Sequence, residues 1–301
     1  MENANLPIEE TQTATGHYQT GNTLYYQGSY QEAIFEFDKA IQINPNYSDA
    51  YNNRGLAKNA LGRYFDAIAD YDECIELNER NALPYYNRGL AKDNLGHPED
   101  AILDFNIAIQ LDSAFVLAYY RRSISKRRLN KLEEAIKDCD MAIKINKNYV
   151  EAYYQRGILK RDLGQYFNSI SDFNKVIRLK SDHVLAYYSR GCAKGNLGHP
   201  EDAILDFSKA ISISPGYAQA YYNRATAYRE IRHYDNAIAD FDVVTRLQKD
   251  NAQAYYDRGI TKKMIGRVKE GRQDLEQALV LSRNALNTYL EREISETLKN
   301  W

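Results

Sequence analysis

The string PYYNRG at residues 84–89 returns as AYNNRG (50–55), AYYRRS (118–123), AYYQRG (152–157), AYYSRG (186–191), AYYNRA (220–225) and AYYDRG (254–259). Successive copies lie 34 residues apart, and no insertion disturbs the interval. A chain written in one repeated phrase cannot wrap around a single central core, because every phrase must bury the same face against the same kind of neighbour. It builds a one-dimensional stack in which each unit touches the units before and after it. The phrasing defines eight units, 14–47, 48–81, 82–115, 116–149, 150–183, 184–217, 218–251 and 252–285, flanked by residues 1–13 and 286–301.

Within a unit, two stretches with helical periodicity flank a turn that usually carries glycine, as in YYNRGLAKDNLGHPEDAILDFNIAIQL at 85–111. Each unit is therefore expected to be a helical hairpin. Counting from the start of a unit, position 8 is small (Gly21, Gly55, Gly89, Ser123, Gly157, Gly191, Ala225, Gly259) and so is position 20 (Ala33 to Gly271). A glycine inside a helix costs roughly 1 kcal/mol against alanine, so its recurrence implies close helix contact. Position 24 then supplies a large side chain in most units: Phe37, Tyr71, Phe105, Phe173, Phe207 and Phe241.

Charge repeats with the same strictness. Position 7 is Arg54, Arg88, Arg122, Arg156, Arg190, Arg224 and Arg258, and position 11, one turn later on the same helix face, is lysine in six units. Position 23 is acidic in all eight units, from Glu36 to Asp274. A cation on one helix and an anion on the other, co-repeating without exception after the first unit, predict a ladder of ion pairs closing each hairpin. A free basic stripe for acidic ligands is the alternative.

The aromatic residue at position 4, Gly at 8, Ala at 20, aromatic at 24 and small residue at 27 together resemble the tetratricopeptide repeat, over about nine tenths of the chain. The resemblance implies an all-α fold, a right-handed α-α superhelix, acting as a non-catalytic scaffold for a peptide or partner protein. Three departures stand out: arginine at position 7, lysine at 11, and a proline at 32 only in Pro45 and Pro215. In the family, positions 2, 5, 6, 9, 12 and 13 of the first helices line a concave groove. Carried over, these give a tyrosine stripe (Tyr86, Tyr120, Tyr154, Tyr188, Tyr222), polar neighbours at position 6 (Asn87, Arg121, Gln155, Asn223), and Arg127, Arg128 and Arg161. Side-chain amides suit the peptide unit of an extended chain, since each both donates and accepts. The arginines form the one basic cluster without evident compensation, so the implied ligand is an extended and acidic segment. Single-stranded RNA stacked on the tyrosines is a second possibility, and end-to-end self-association a third. The tyrosines are also suited simply to pack on neighbouring helices. A carboxylate clamp of the chaperone-tail-binding type is absent, because Tyr18, Leu90 and Asn94 replace its basic residues.

Several classes are disfavoured. A net charge of -2 argues against a nucleic acid held by bulk electrostatics. No apolar run approaches the roughly 18 to 20 residues of a membrane span, and MENANLPIEE has no signal-peptide core, so a cytoplasmic protein is expected. Cys74, Cys139 and Cys192 are scattered and suggest neither disulfide nor zinc site. The five histidines form no metal pair and read as surface residues. GHYQTGNT (16–23) has the glycine spacing of a phosphate loop, but Asn22 stands where lysine is required. No catalytic constellation is present, so neither enzyme activity nor a cofactor is expected. Repeats three and six share GHPEDAILDF (96–105 and 198–207), which points to duplication of a three-unit block. The tail carries Leu286, Leu290, Ile294 and Leu298 at intervals of four and is expected to be a capping helix, while 1–13, with only Leu6 and Ile8, is expected to be loosely ordered.

Overall fold

A computed structural model describes residues 13–301, which form seventeen helices and, among the described residues, no strand. The N-terminal residues 1–12, with Leu6 and Ile8, lie outside the described residues. Among the described residues no helix is long and apolar enough to cross a membrane.

The chain divides into two compact units, one ending at Ala152 and one running from Tyr153 to Trp301, with the division inside α9 (Val150–Asp162). The first holds α1 (Ala14–Tyr26), α2 (Tyr30–Ile43), α3 (Ser48–Ala60), α4 (Tyr64–Leu77), α5 (Ala82–Asn94), α6 (Pro98–Leu111), α7 (Val116–Arg128) and α8 (Leu132–Ile145). The second holds α10 (Tyr166–Leu179), α11 (Val184–Asn196), α12 (Pro200–Ile213), α13 (Ala218–Glu230), α14 (Tyr234–Leu247), α15 (Ala252–Met264), α16 (Val268–Asn284) and α17 (Thr288–Lys299). In each, consecutive helices pack in chain order: α1 on α2, α2 on α3 and so to α8, then α10 on α11 and so to α17.

The packing explains the repeated glycine. A Cβ added to Gly55 would stand 2.6 Å from the Tyr71 ring, and one added to Gly157 2.7 Å from that of Phe173. The aromatic at position 24 thus lies against bare backbone at position 8, and it is fully buried in Phe37, Tyr71, Phe105, Phe173 and Phe241. Where Ser123 replaces the glycine, position 24 has shrunk to Cys139, so the pair is exchanged together. Position 27 closes the interface with side chains of modest size, all fully buried: Ala40, Cys74, Ala108, Ala142, Val176, Ala210, Val244 and Ala278.

The turn inside each hairpin needs a left-handed residue, supplied by glycine in six copies but by Asn130 (φ 56°) and Arg232 (φ 61°) in two. Asx turns join the hairpins, at Asn44 together with Pro45 and at the next three positions without a proline. Asn44, Asn78, Asp112 and Asn146 each accept from the backbone N–H two residues on, at 2.9–3.3 Å.

At the C-terminus, Leu290 and Ile294 of α17 are buried against Leu275 and Ala278, with Leu298 packed beside them. Leu286 does not join this stripe. It sits in the turn before α17 with φ 54° and is 86% exposed. Trp301 completes the contact instead, its Nε1–H donating to the Val268 carbonyl at 3.2 Å and its ring lying over Gly271.

Candidate functional site

The charged ladder forms in every hairpin that carries the position 7 arginine. Arg54, Arg88, Arg122, Arg156, Arg190, Arg224 and Arg258 each present a fork to the position 23 aspartate, with Nε at 2.7–3.1 Å and Nη2 at 2.5–2.7 Å. The position 11 lysine reaches the same carboxylate at 2.7–2.9 Å in six of them. The aspartates are only 2–6% exposed, and two cations answer the buried anion in six hairpins, while Asp240, with Tyr228 at position 11, is held by Arg224 alone. The first hairpin, without the arginine, uses His17 (2.6 Å) and Lys39 (2.9 Å) on Glu36 instead.

The arginines also do something that the 34-residue pattern leaves unstated. Nη1 donates to position 25 of the preceding hairpin: Arg54 to Asp38, Arg88 to Asp72, Arg122 to Asn106, Arg190 to Asn174, Arg224 to Ser208 and Arg258 to Asp242, at 2.5–2.8 Å. Each guanidinium lies 5.1–5.5 Å over the tyrosine at position 4 of its own helix. Although burial opposes the charged form, Asp104 and Asp72 hold Arg88 well above its usual basicity. The first tyrosine and the arginine of YYNRG are therefore structural.

The second tyrosine packs as well. Tyr86 lies between Phe105 and Phe115, Tyr154 between Phe173 and His183, and Tyr188 between Phe207 and Tyr217, at centroid distances of 4.9–5.9 Å. Tyr120 meets Tyr149 edge-on at 5.4 Å, and Tyr222 meets Phe241 at 5.6 Å. Tyr120, Tyr154, Tyr188 and Tyr222 nevertheless remain half-buried. Their hydroxyls meet position 6 of the following hairpin: Asn223 donates to Tyr188 at 3.0 Å, Tyr222 donates to Asp257 at 2.6 Å, and Tyr154 lies 3.4 Å from Ser189. Burial, with Asp257 beside it, raises the Tyr222 pKa.

Three of the expected surface residues turn inward. Tyr86 (7% exposed), Asn87 (4%) and Gln155 (8%) are buried, and the Asn87 amide donates to Asn52 at 2.9 Å. They offer a partner little area, because position 6 sits at the seam between consecutive first helices and Tyr86 is packed on Phe105 and Phe115. The basic cluster is also compensated, contrary to the reading of the sequence. Arg128 holds Asp93 at 3.0 Å and its carbonyl at 2.9 Å, and Arg161 holds Asp162 at 3.1 Å. Arg121 lies 5.8 Å over the Tyr120 ring, and its charge offsets part of the rise that burial gives the Tyr86 pKa. Arg121, Arg127 and Arg128 remain exposed to solvent, in the first compact unit; Arg161 belongs to the second.

Residues weighed for chemistry fall into structural places. Residues 16–23 lie inside α1, so the phosphate-loop spacing is part of a helix. The histidines are not uniformly on the surface. Besides His17, His183 packs on Tyr154 and its Nδ1 accepts from Ala186 N–H at 3.1 Å as the cap of α11, and His233 stacks on Tyr228. Among the described residues no group of three His, Cys, Asp or Glu side chains is arranged to hold a metal ion.

Comparison with known proteins agrees with this architecture. Sequence profiles described as "TPR repeat" or "Tetratricopeptide repeat" match residues 21–62, 55–96, 86–150, 150–183, 184–217 and 207–239, an unbroken run over well more than half the chain. An uncharacterized protein of Methanocaldococcus jannaschii is 39% identical over 55 residues, 18% of this chain, which spans 64% of that relative's length. Among solved structures, the C-terminal part of a TPR repeat-containing protein from Cytophaga hutchinsonii superposes with a TM-score of 0.66 at 21% identity, covering 79% of this chain and 97% of that one. MamA gives 0.52 at 27% identity (55% and 96% covered), and YrrB, described as a TPR protein with an unusual peptide-binding site, gives 0.55 at 22% (62% and 97%). Helical hairpins stacked in chain order, the small and aromatic residues that interlock them, and the matching profiles together place this chain in the tetratricopeptide repeat family.

Proposed function

We propose that the protein is a non-catalytic docking scaffold whose first helices hold an extended segment of a partner protein. One observation carries this reading: Leu117 and Leu185, both 45% exposed, sit three residues before the half-buried Tyr120 and Tyr188 on α7 and α11. Residues three apart share a helix face, so an uncovered aliphatic side chain stands beside a partly open aromatic ring on each helix. Leu83 on α5 repeats the exposure at 42%. An apolar surface recurring at one repeat position is the kind that a partner covers. Within the first compact unit the exposed arginines Arg121, Arg127 and Arg128 stand on α7, and within the second Tyr154 stands on α9 and Tyr222 and Asn223 on α13. The internal pairs of Arg128 and Arg161 remove the excess positive charge on which an RNA ligand would depend. They also leave an acidic ligand without its special advantage.

The test uses the leucines, since truncating them leaves the tyrosine packing intact. A partner captured with the full chain should bind the Leu117→Ser and Leu185→Ser variants about tenfold more weakly each, by roughly 1.4 kcal/mol. Unchanged affinity in variants that keep the helical circular dichroism would move recognition off the first helices.

A further inference from the structure

Repeats three and six read YYNRGLAKDNLGHPEDAILDF (85–105) and YYSRGCAKGNLGHPEDAILDF (187–207). They differ at three places only, Asn87/Ser189, Leu90/Cys192 and Asp93/Gly195. All three are positions 6, 9 and 12 of the first helix, on the side assigned above to docking. The second and third changes each remove bulk, and the structure shows what they leave behind: a cavity of about 260 Å³ between α11 and α13, floored by Ala203 and Phe207 of α12.

The polar groups lining this cavity have already committed donors. Asn223 Nδ2 donates to the Tyr188 hydroxyl (3.0 Å) and the Cys192 sulfur (3.4 Å). Asn196 Nδ2 donates to the Cys192 carbonyl at 2.8 Å, and the Thr226 hydroxyl to the Tyr222 carbonyl at 3.1 Å. What Asn223 and Thr226 keep for a ligand is acceptor capacity. Glu230 adds an exposed carboxylate at the rim. Its neighbour Arg229 is held by Asp257 at 2.8 Å, and Arg161, which approaches Cys192, is held by Asp162. Burial keeps the Cys192 thiol protonated, so it adds no second negative charge.

The counterpart place in the other compact unit shows what fits. There Asp93, in the place of Gly195, accepts from the guanidinium of Arg128 at 3.0 Å, and Arg128 stands at the position that Glu230 occupies in repeat seven. One copy of the duplicated block thus fills this place with its own arginine. The other has lost the side chain at position 12 and reversed the charge at position 13, leaving a hole beside an unanswered carboxylate.

We propose that the cavity between α11 and α13 is a pocket for an arginine side chain of the docked partner segment, its guanidinium against Glu230 and the acceptors of Asn196 and Asn223, its alkyl stem along Phe207 and Ala227. This rests on the docking reading above. Arginine suits the place better than lysine, because its planar head offers five donors to scattered acceptors and is more weakly hydrated.

The test titrates the full-length, ¹⁵N-labelled protein with N-acetyl-arginine amide at tens of millimolar, the range in which a single residue binds measurably. Amide shifts are expected at Gly191, Gly195, Asn223 and Glu230, with at least tenfold weaker binding by the neutral citrulline analogue. Gly195→Leu should abolish the shifts without unfolding the chain, because a Cβ there meets only the Ala203 Cβ at 3.9 Å and a glycine in the last turn of α11 is replaced by a better helix former. Glu230→Gln should weaken binding by a similar tenfold factor. Absence of the shifts, equal binding of citrulline, or binding that survives Gly195→Leu overturns the pocket. If the arginine amide fails while the partner still depends on Leu117 and Leu185, the pocket alone falls; if the amide binds and those leucines do not matter, the docking surface alone falls.

Discussion

Asp172 is the clearest place to measure what the ladder contributes. Its carboxylate is 5% exposed and accepts from Arg156 Nε at 2.9 Å, Arg156 Nη2 at 2.5 Å and Lys160 Nζ at 2.8 Å. Asp172→Asn keeps the shape but replaces one acceptor oxygen with an N–H₂ that faces a cation, and it removes the buried negative charge that Arg156 and Lys160 share. A hydrogen bond involving a charged group contributes about 1.5–3 kcal/mol, and breaking a buried pair costs about 3–5 kcal/mol. Arg156 and Lys160 are 17% and 18% exposed, so water recovers part of their solvation, and the expected loss is about 2–4 kcal/mol. Urea unfolding followed by circular dichroism reads the global loss. Hydrogen-exchange protection should fall first in α9 and α10, because a repeat's stability is local plus nearest-neighbour. Replacing the group together, as Asp172→Leu with Arg156→Met and Lys160→Met, should be milder than Asp172→Asn alone, since no charge is then stranded. A loss below about 0.5 kcal/mol for Asp172→Asn, the usual size of an exposed pair, would show that the ladder is solvated and incidental.

Two further outcomes are expected. Tyr71 is fully buried with its hydroxyl unpartnered, where Phe37, Phe105, Phe173, Phe207 and Phe241 stand in other hairpins. Tyr71→Phe should therefore raise stability by about 1 kcal/mol, read as a higher urea midpoint, and a lower midpoint would reveal a partner for the hydroxyl. Ending the chain before Leu286 uncovers Leu275 and Ala278, now packed beneath Leu290 and Ile294, and should lower the melting temperature or cause association in sedimentation. A monomer with an unchanged melt would mean that α17 covers nothing essential.

The contacts that recur within every hairpin were legible in the residues, though the substitute pairing of His17 with Glu36 in the first was not. Glycine at position 8 against the aromatic at 24, and arginine at 7 against aspartate at 23, lie 16 residues apart within one helix–turn–helix, where the covalent geometry of two helices and a short turn fixes which side chains meet. The repeat then multiplies the inference, since a pairing forced in one unit is forced in all. What joins one hairpin to the next was not legible. The guanidinium of Arg88 reaching back to Asp72, the Asn223 amide donating to Tyr188, and the burial of Tyr86, Asn87 and Gln155 depend on how far one hairpin is shifted and rotated against its neighbour. No local periodicity sets that offset; it comes from ridges and grooves settling together along the stack. For the same reason Arg128 looked free in the sequence. Position 12 or 13 reads as a surface residue until the adjoining helix brings Asp93, or leaves beside Gly195 an opening that only the packed structure reveals.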